Sequence, residues 1–439
     1  MKKRKQPLKR SMTGFEIELF TINKKGYMIN GADAVLKKLK SSLSIKKECA
    51  LNMIEIASYQ NENVPYAMQY LIRELEELIY TAEKNKILLC PLGAYPGKFN
   101  PSMREDNPYK IKESIFGKKR WKIAGRCIGF HCHYTLPRGI FDNQLRVLKM
   151  LVRSKIKNSV VNSYNFLVAA DPALTTFMQS SPFYQGNFIG KDSRLIMYRG
   201  GSHLNNPNGL YANLEEFGGL PPYRLTALDM MDIVTNRFEK WKSYIKSLGL
   251  NIKVLSLYGS ILDTTWNPIK INPNETLEQR GMDMNQPAYI AGIGAIIKSV
   301  LQKLQEEYYA VVPSEIGIKE PFKVEGDTIY IPPYPYVRNG LQKLAAYTGL
   351  DNESVFYYCK RFLSFASSNM PRESLRLIEP FKKMLAAKKT VSDEIIEFAK
   401  KKGYKKHITN KFAAEIALEH SERLLKDVIA IKKVIENLV

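Results

Sequence analysis

Apolar and polar positions alternate with a period of two along Met12–Thr21, Ala50–Ser58, Lys86–Leu92, Lys122–Leu136, Lys253–Leu262 and Glu275–Asp283. That period is the mark of strands, whose successive side chains leave opposite faces. Between these segments the spacing lengthens to that of helices. Pro65–Lys86 carries Leu71, Leu75, Leu78 and Ala82 on one face, with Pro65 placed to open the helix. Phe141–Ala169, Tyr223–Ser247 and Pro287–Glu307 read the same way. Strands and helices do not alternate regularly, so the pattern predicts an α+β fold with a largely antiparallel, curved sheet and helices packed on one side. Val312–Tyr336, rich in Pro and Gly, predicts a surface loop or small hairpin. Gly340–Val439 is almost wholly helical in pattern, broken at Pro371, Pro380 and Gly403. There is no internal repeat.

Composition changes this picture only a little. With 439 residues, 45% of them apolar, the chain can bury a sizeable core. Its 66 Lys and Arg against 43 Asp and Glu give a net charge of +23, a field that attracts polyanions such as ATP or nucleic acid. The lysines are spread along the chain, which general enrichment explains equally well. Five cysteines without framework spacing predict reduced thiols and a cytoplasmic protein. Six of the first ten residues are basic and no apolar core follows, so residues 1–10 are expected to be a disordered basic tail rather than a signal peptide. No apolar run reaches membrane-spanning length; Tyr289–Ile297 stops at Lys298.

The chemistry sits inside the strands. Glu16 and Glu18 are two apart, so both carboxylates leave one face. Glu55 lies between Ile54 and Ile56, and Glu48 is seven residues earlier, so one of the two must sit at the strand's entry or beyond a turn. In Cys127–Tyr134, alternation puts Cys127, Gly129, His131 and His133 together. Glu278 and Arg280 share a face of the last strand. Each acid alone could be a solvated charge or a salt bridge. Together they are costly, since two carboxylates about 4 Å apart repel by roughly 4 kcal/mol at an effective dielectric near 20. Convergence of several points to divalent cations with oxygen ligands, such as Mg²⁺. Cys127, His131 and His133 offer a rival, a zinc site of a hydrolase. Asp171–Pro222 reads as a long polar loop, with Arg194 and Arg199 as candidates to meet anionic groups. No phosphate-binding Gly-x4-Gly-Lys-Ser/Thr loop is present, and Gly292-Ile293-Gly294 lacks the context of a dinucleotide fingerprint.

In this order the pieces resemble the glutamate–cysteine ligase superfamily, including its carboxylate–amine ligase branch. The matching motifs are Gly14-Phe15-Glu16-Ile17-Glu18, Glu48 with Glu55, Gly129 to His133, Ser180-Ser181-Pro182-Phe183 with Tyr198-Arg199, and Leu277-Glu278-Gln279-Arg280 through Asp283. They span residues 11 to 310; Arg338-Asn339 echoes only part of a later motif. The resemblance implies a glutamine synthetase/glutamate–cysteine ligase-like fold, with a ligase unit over 11–339 and a helical region over 340–439 packed on it. It implies an ATP-dependent ligase acting in glutathione biosynthesis, which activates a carboxylate, such as the glutamate side chain, for attack by an amine such as cysteine. Glu16, Glu18, Glu55 and Glu278, with Glu48 and His131, would hold Mg²⁺ or Mn²⁺, and His133 would be structural. Arg280 and Arg199 would neutralise transferring phosphate, and Arg194 would help to hold the nucleotide. The partners implied are ATP and small amino-acid substrates, without a membrane, and a homo-oligomer is compatible. A nucleic-acid-binding protein using the basic surface is the other reading, although no helix-turn-helix, zinc-finger or RNA-platform motif appears.

Overall fold

Seven strands, every pairing antiparallel, form the main sheet of the computed structural model, which describes residues 11–39, 44–149 and 154–438. The strands are β1 (Thr13–Asn23), β2 (Ile45–Lys47), β3 (Met53–Ala57), β4 (Ile87–Cys90), β5 (Gly129–Thr135), β6 (Ile269–Asn272) and β7 (Thr276–Asp283). Their order is β6-β7-β5-β1-β3-β2, and β4 continues beside the far end of β1. The expected basic tail, residues 1–10, lies outside the described residues.

One face of this sheet is apolar. Phe15, Ile17, Phe130 and Leu277 are buried there, beneath helices. The longer helices up to residue 307 are α1 (Val64–Lys84), α2 (Asn107–Phe116), α3 (Lys155–Met178), α4 (Ser193–Arg199), α5 (Ala227–Ser247) and α6 (Pro287–Glu307). Of these, α1, α3 and α6 cover that face, and α4 also meets β7. The stripe predicted for α1 is the one buried, Leu71, Leu75, Leu78 and Ala82. Each buried Leu contributes about 1.5–3 kcal/mol relative to exposure, enough to fix which way the helix faces. The C-terminal helices, Glu353–Ser368, Glu379–Ala387, Val391–Lys401 and Asn410–Glu436, join the same core. Phe381 packs against Phe177 of α3 with ring centres 5.0 Å apart, and Asn410–Glu436 packs on α1, α6 and β4. Their breaks fall at the expected residues: Pro380 opens one helix and Gly403 follows another at φ +83. No helix among the described residues is long and apolar enough to cross a membrane, and all five cysteines are buried and unpaired.

Several predicted elements differ. Lys253–Leu262 is not a strand but two 3₁₀ turns, Ile252–Leu257 and Ile261–Thr264. Asn251 and Ser260 side chains cap them, offering the backbone a local alternative to a ladder. Phe141–Ala169 begins instead as a small hairpin, because Asp142 accepts the amides of Gln144 and Leu145 and turns the chain; α3 starts only at Lys155, capped by Ser154. The long strand Lys122–Leu136 shortens to β5, preceded by helical turns at Lys118–Trp121 and Ala124–Arg126. The polar stretch Asp171–Pro222 is ordered: α3 runs through Pro172 to Met178, a hairpin follows, and then α4. Val312–Tyr336 does hold a hairpin, Lys323–Glu325 with Thr328–Ile331, extended by a parallel strand, Ala310–Pro313.

Candidate active site

The uncovered face of the sheet gathers the acids. Residues directly opposite each other on neighbouring strands share a face, so register alone assembles the site. Glu18 of β1 lies opposite Glu55 of β3, and Glu16 opposite His131 of β5. His133 lies opposite Glu278 of β7, which in turn lies opposite Lys270 of β6. Glu48 directly follows β2, at the start of the turn into β3, with its Oε2 taking the Cys49 amide at 2.8 Å. Five acids that span more than 260 positions of sequence thus meet on three strands and one turn, with the two histidines of β5 among them.

They form two groups. Glu16, His133 and Glu278 present ligand atoms within 4.8 Å of one another, and so do Glu18, Glu48 and Glu55. His131 stands between the groups: its Nδ1 is 3.0 Å from Glu16 and 3.8 Å from Glu278, and its Nε2 is 3.7 Å from Glu18. The ring nitrogens of His133 have different surroundings. Nδ1 meets Thr276 Oγ1 at 2.9 Å, while Nε2 is buried without a hydrogen-bond partner, 3.4 Å from Glu16. A ring held by one nitrogen with the other left open is the usual posture of a metal-ligating imidazole. Cys127 belongs to neither group. It lies before β5, bridged to Ala94, and burial pushes its thiol up; the zinc triad of Cys127, His131 and His133 is not assembled.

The two groups differ in charge state. Burial pushes Glu55 well up, and the neighbouring Glu16, Glu48 and Glu18 push it further. Glu18 is raised by burial against the pull of His131. Burial also opposes ionisation of Glu278, but Arg280, His133 and Lys270 outweigh it and hold the carboxyl at about 2. Glu16 is likewise well below the usual carboxylate range, the two histidines overcoming burial. One group is therefore charge-compensated by protein, while the other lacks such compensation and resists full ionisation unless a cation joins it.

Arg280 and Arg194 lie by the acids of this face, and Arg199 stands further off beside Asp171. A β-bulge between Gln279 and Met282 lets Glu278, Arg280 and Asp283 all address the site side. Arg280 Nε is 3.5 Å from Glu278. Asp283 accepts the Ser180 amide at 3.0 Å and the Ser181 hydroxyl at 2.6 Å, so the Ser180–Phe183 segment is tied to β7. That segment positions α4, capped by Asp192. From α4, Arg194 reaches the Gly281 carbonyl at 3.1 Å. It passes where a Cβ on Gly129 would lie 2.2 Å from its Nη2 and one on Gly281 would lie 2.6 Å from Asp171, so only glycine leaves room at both positions. Arg199 is buried, donates to the Gly218 carbonyl at 2.7 Å, and is lowered by burial to about 10. Both arginines keep a buried Nε without a partner.

One residue at the site carries no sequence signal. Lys112 of α2 makes no ion pair with any described residue. Its Nζ lies 4.6 Å from the Trp266 ring centre and 5.8 Å from those of Tyr109 and Trp121. Burial lowers it to about 8, against the pull of Cys49 and Glu48. In a lysine-rich helix it reads as one more solvated charge.

Known proteins resemble this chain in sequence and in fold. A sequence model described as glutamate–cysteine ligase family 2 matches residues 12–315. The fold is shared with a glutamate–cysteine ligase from Francisella tularensis solved in complex with AMP, at 13% identity and a TM-score of 0.62, covering 98% of this chain and 93% of that one. It is shared too with a bifunctional glutathione synthetase from Pasteurella multocida, at 12% identity and a TM-score of 0.56, covering 94% of this chain. The present chain spans about half, 53%, of that protein. No protein of curated function matches in direct sequence comparison.

Proposed function

The chain belongs to glutamate–cysteine ligase family 2, and on that premise we propose that it is an ATP-dependent ligase joining a carboxylate to an amine. The observation that supports this reading best is the pair of three-ligand groups, Glu16/His133/Glu278 and Glu18/Glu48/Glu55, side by side beneath Arg194 and Arg280. Five carboxylates and one imidazole form an oxygen-rich donor set that suits Mg²⁺ or Mn²⁺. The open His133 Nε2 and the uncompensated Glu55 fit such ions. When bound, they would offset the triphosphate's charge and hold its γ-phosphoryl group in line.

In the proposed reaction a substrate carboxylate oxygen attacks the γ-phosphorus, the bond to the β,γ-bridging oxygen breaks, and ADP leaves. An amine nitrogen then attacks the acyl carbon, the carbon–oxygen bond to phosphate breaks, and the nitrogen gives up a proton. Phosphoryl transfer of this kind rests on positioning and charge neutralisation. Arg280 stays protonated under all ordinary conditions, because Glu278 holds its charge against burial, and it suits the transferring phosphoryl oxygens. Arg194 and Arg199 supply planar forks for phosphate or a substrate carboxylate. Lys112 adds an unpaired charge at the same face. The geometry favours His133 beside Glu16 and Glu278 as a ligand, with His131 linking the two groups.

Glutamate as the carboxylate and cysteine or another amino compound as the amine are the first substrates to try. The test is ADP release with glutamate and other carboxylates crossed with cysteine and a panel of amines, with Mg²⁺ or Mn²⁺. ADP release that needs one carboxylate and one amine supports the reading. A protein that binds ATP yet shows no carboxylate-dependent turnover overturns it.

A further inference from the structure

A cavity of about 760 Å³ lies behind the Glu215–Gly218 turn, with Leu220, Arg224, Arg237, Asn267, Tyr334 and Arg338 in its lining. Its charges do not balance. The three acids of the lining are each already paired, Glu215 with Arg338, Glu216 with Lys240, and Glu239 with Lys242. Arg224 and Arg237 remain. Arg224 is 6% exposed, and its nearest carboxylate, the half-exposed Asp229, is 3.9 Å away. Its backbone is clamped on both sides by Asn165, whose amide group accepts from the Arg224 N–H at 2.7 Å and donates to its carbonyl at 2.8 Å. Arg237 has neither an ion pair nor a hydrogen bond to any described residue. Burial lowers its pKa, so the protein bears a desolvation cost there without a compensating partner. Asn267 spends its amide hydrogens on the Glu216 and Gly219 carbonyls and leaves Oδ1 buried and unpartnered.

Two partly desolvated guanidiniums at the wall of one cavity, Arg237 with no acid and Arg224 with only the half-exposed Asp229 at 3.9 Å, form a receptor for an oxyanion. Leu220 and Tyr334 give the same cavity an apolar wall, fixed by the Tyr334 hydroxyl donating to the Leu220 carbonyl at 2.6 Å. We propose that this cavity binds a small oxyanion, a carboxylate or a phosphate, between Arg224 and Arg237. The site is separate from the carboxylate face yet shares a wall with it. The turn behind which it lies gives its Gly218 carbonyl to Arg199 and its Phe217 carbonyl to the Trp266 amide, and Trp266 is the ring nearest Lys112. An occupant therefore touches the segment that positions two charged groups of the proposed active site. The inference rests on this charge imbalance and not on the ligase reading.

The test is calorimetric titration of the full chain, stripped of metal on a chelating resin and free of nucleotide, with inorganic phosphate and separately with glutarate. Saturable binding of one anion per chain is expected for at least one probe, and the stronger of the two identifies the source of the oxyanion. Arg237→Gln, a half-buried position on α5, should weaken it at least tenfold, and Arg224→Gln should do the same if that variant folds. Glu278→Gln, on the other side of the shared wall, should leave it unchanged. No saturable binding of either probe, binding indifferent to Arg237→Gln, or a loss in Glu278→Gln equal to that in Arg237→Gln would each overturn the proposal. None of these outcomes depends on whether the protein turns over ATP.

Discussion

Replacing Glu55 by Gln should make the metal-free protein more stable and the metal-loaded protein less so. Glu55 faces Glu18 and Glu48 with ligand oxygens within 4.8 Å of one another. At that distance each like-charge pair costs about 3.5 kcal/mol at an effective dielectric of 20. Two such pairs would cost about 7 kcal/mol, more than the carboxyl can bear. It can escape by taking a proton, which from an ordinary pKa of 4.5 costs only about 4 kcal/mol at pH 7.5. That is the ceiling on what removing the charge returns. Partial solvent access at Glu48 and Glu55 lowers it to about 1–3 kcal/mol. Glu55 makes no hydrogen bond with any described residue, so the amide breaks nothing. In chelator the midpoint of thermal unfolding should rise by a few degrees. With Mn²⁺ at a hundred times its dissociation constant, the wild-type chain gains about 2.7 kcal/mol. A tenfold weaker site in Glu55→Gln forfeits about 1.4 kcal/mol of that. The assay is thermal unfolding with chelator and across a Mn²⁺ series. A variant less stable in both conditions, or one with an undiminished metal-induced shift, would refute the reasoning.

Glu278→Gln removes a ligand charge that Arg280 and Lys270 hold in place; carboxylate-dependent ADP release should fall at least a hundredfold with the far-ultraviolet spectrum unchanged. Gly129→Ala puts a methyl group where Arg194 Nη2 now lies, 2.2 Å from the new carbon, and should cost about 10–100-fold in kcat/KM, roughly 1.4–2.8 kcal/mol, while β5 stays paired. His420, buried in the last helix with Nδ1 unpartnered, is lowered from 6.5 to about 3. The unfolded chain takes up that proton below pH 6.5 and the folded chain does not, so stability should drop on acidification, by about 2 kcal/mol at pH 5 from this residue. Denaturant titrations at pH 7 and pH 5 check it, and His420→Gln should flatten the difference.

The sheet was legible in the chain because its acids interrupt apolar strands at a spacing of two, and that spacing puts Glu16 with Glu18 and His131 with His133 on one face. The antiparallel α+β architecture and the family followed from the order of those strands. What remained hidden depends on partners distant in sequence. Thr276, on the neighbouring strand, orients His133 and leaves its Nε2 open, a distinction the pattern His-x-His cannot contain. Ile269–Asn272 is four residues long, too short for periodicity to register, yet it brings Lys270 beside Glu278. Lys253–Leu262 alternates like a strand but turns locally, since Asn251 and Ser260 cap its amides. Lys112 takes its meaning from Trp266, which lies on the far side of the sheet sequence.

The account stands or falls on divalent cations held jointly by these strands. Mn²⁺ titration followed by electron paramagnetic resonance, with a non-hydrolysable ATP analogue present, counts them directly. About two bound ions per chain are predicted for the wild type, with at least one lost in each of Glu16→Gln and Glu55→Gln. No stoichiometric Mn²⁺ in the wild type, or the full count retained in both variants, would contradict it.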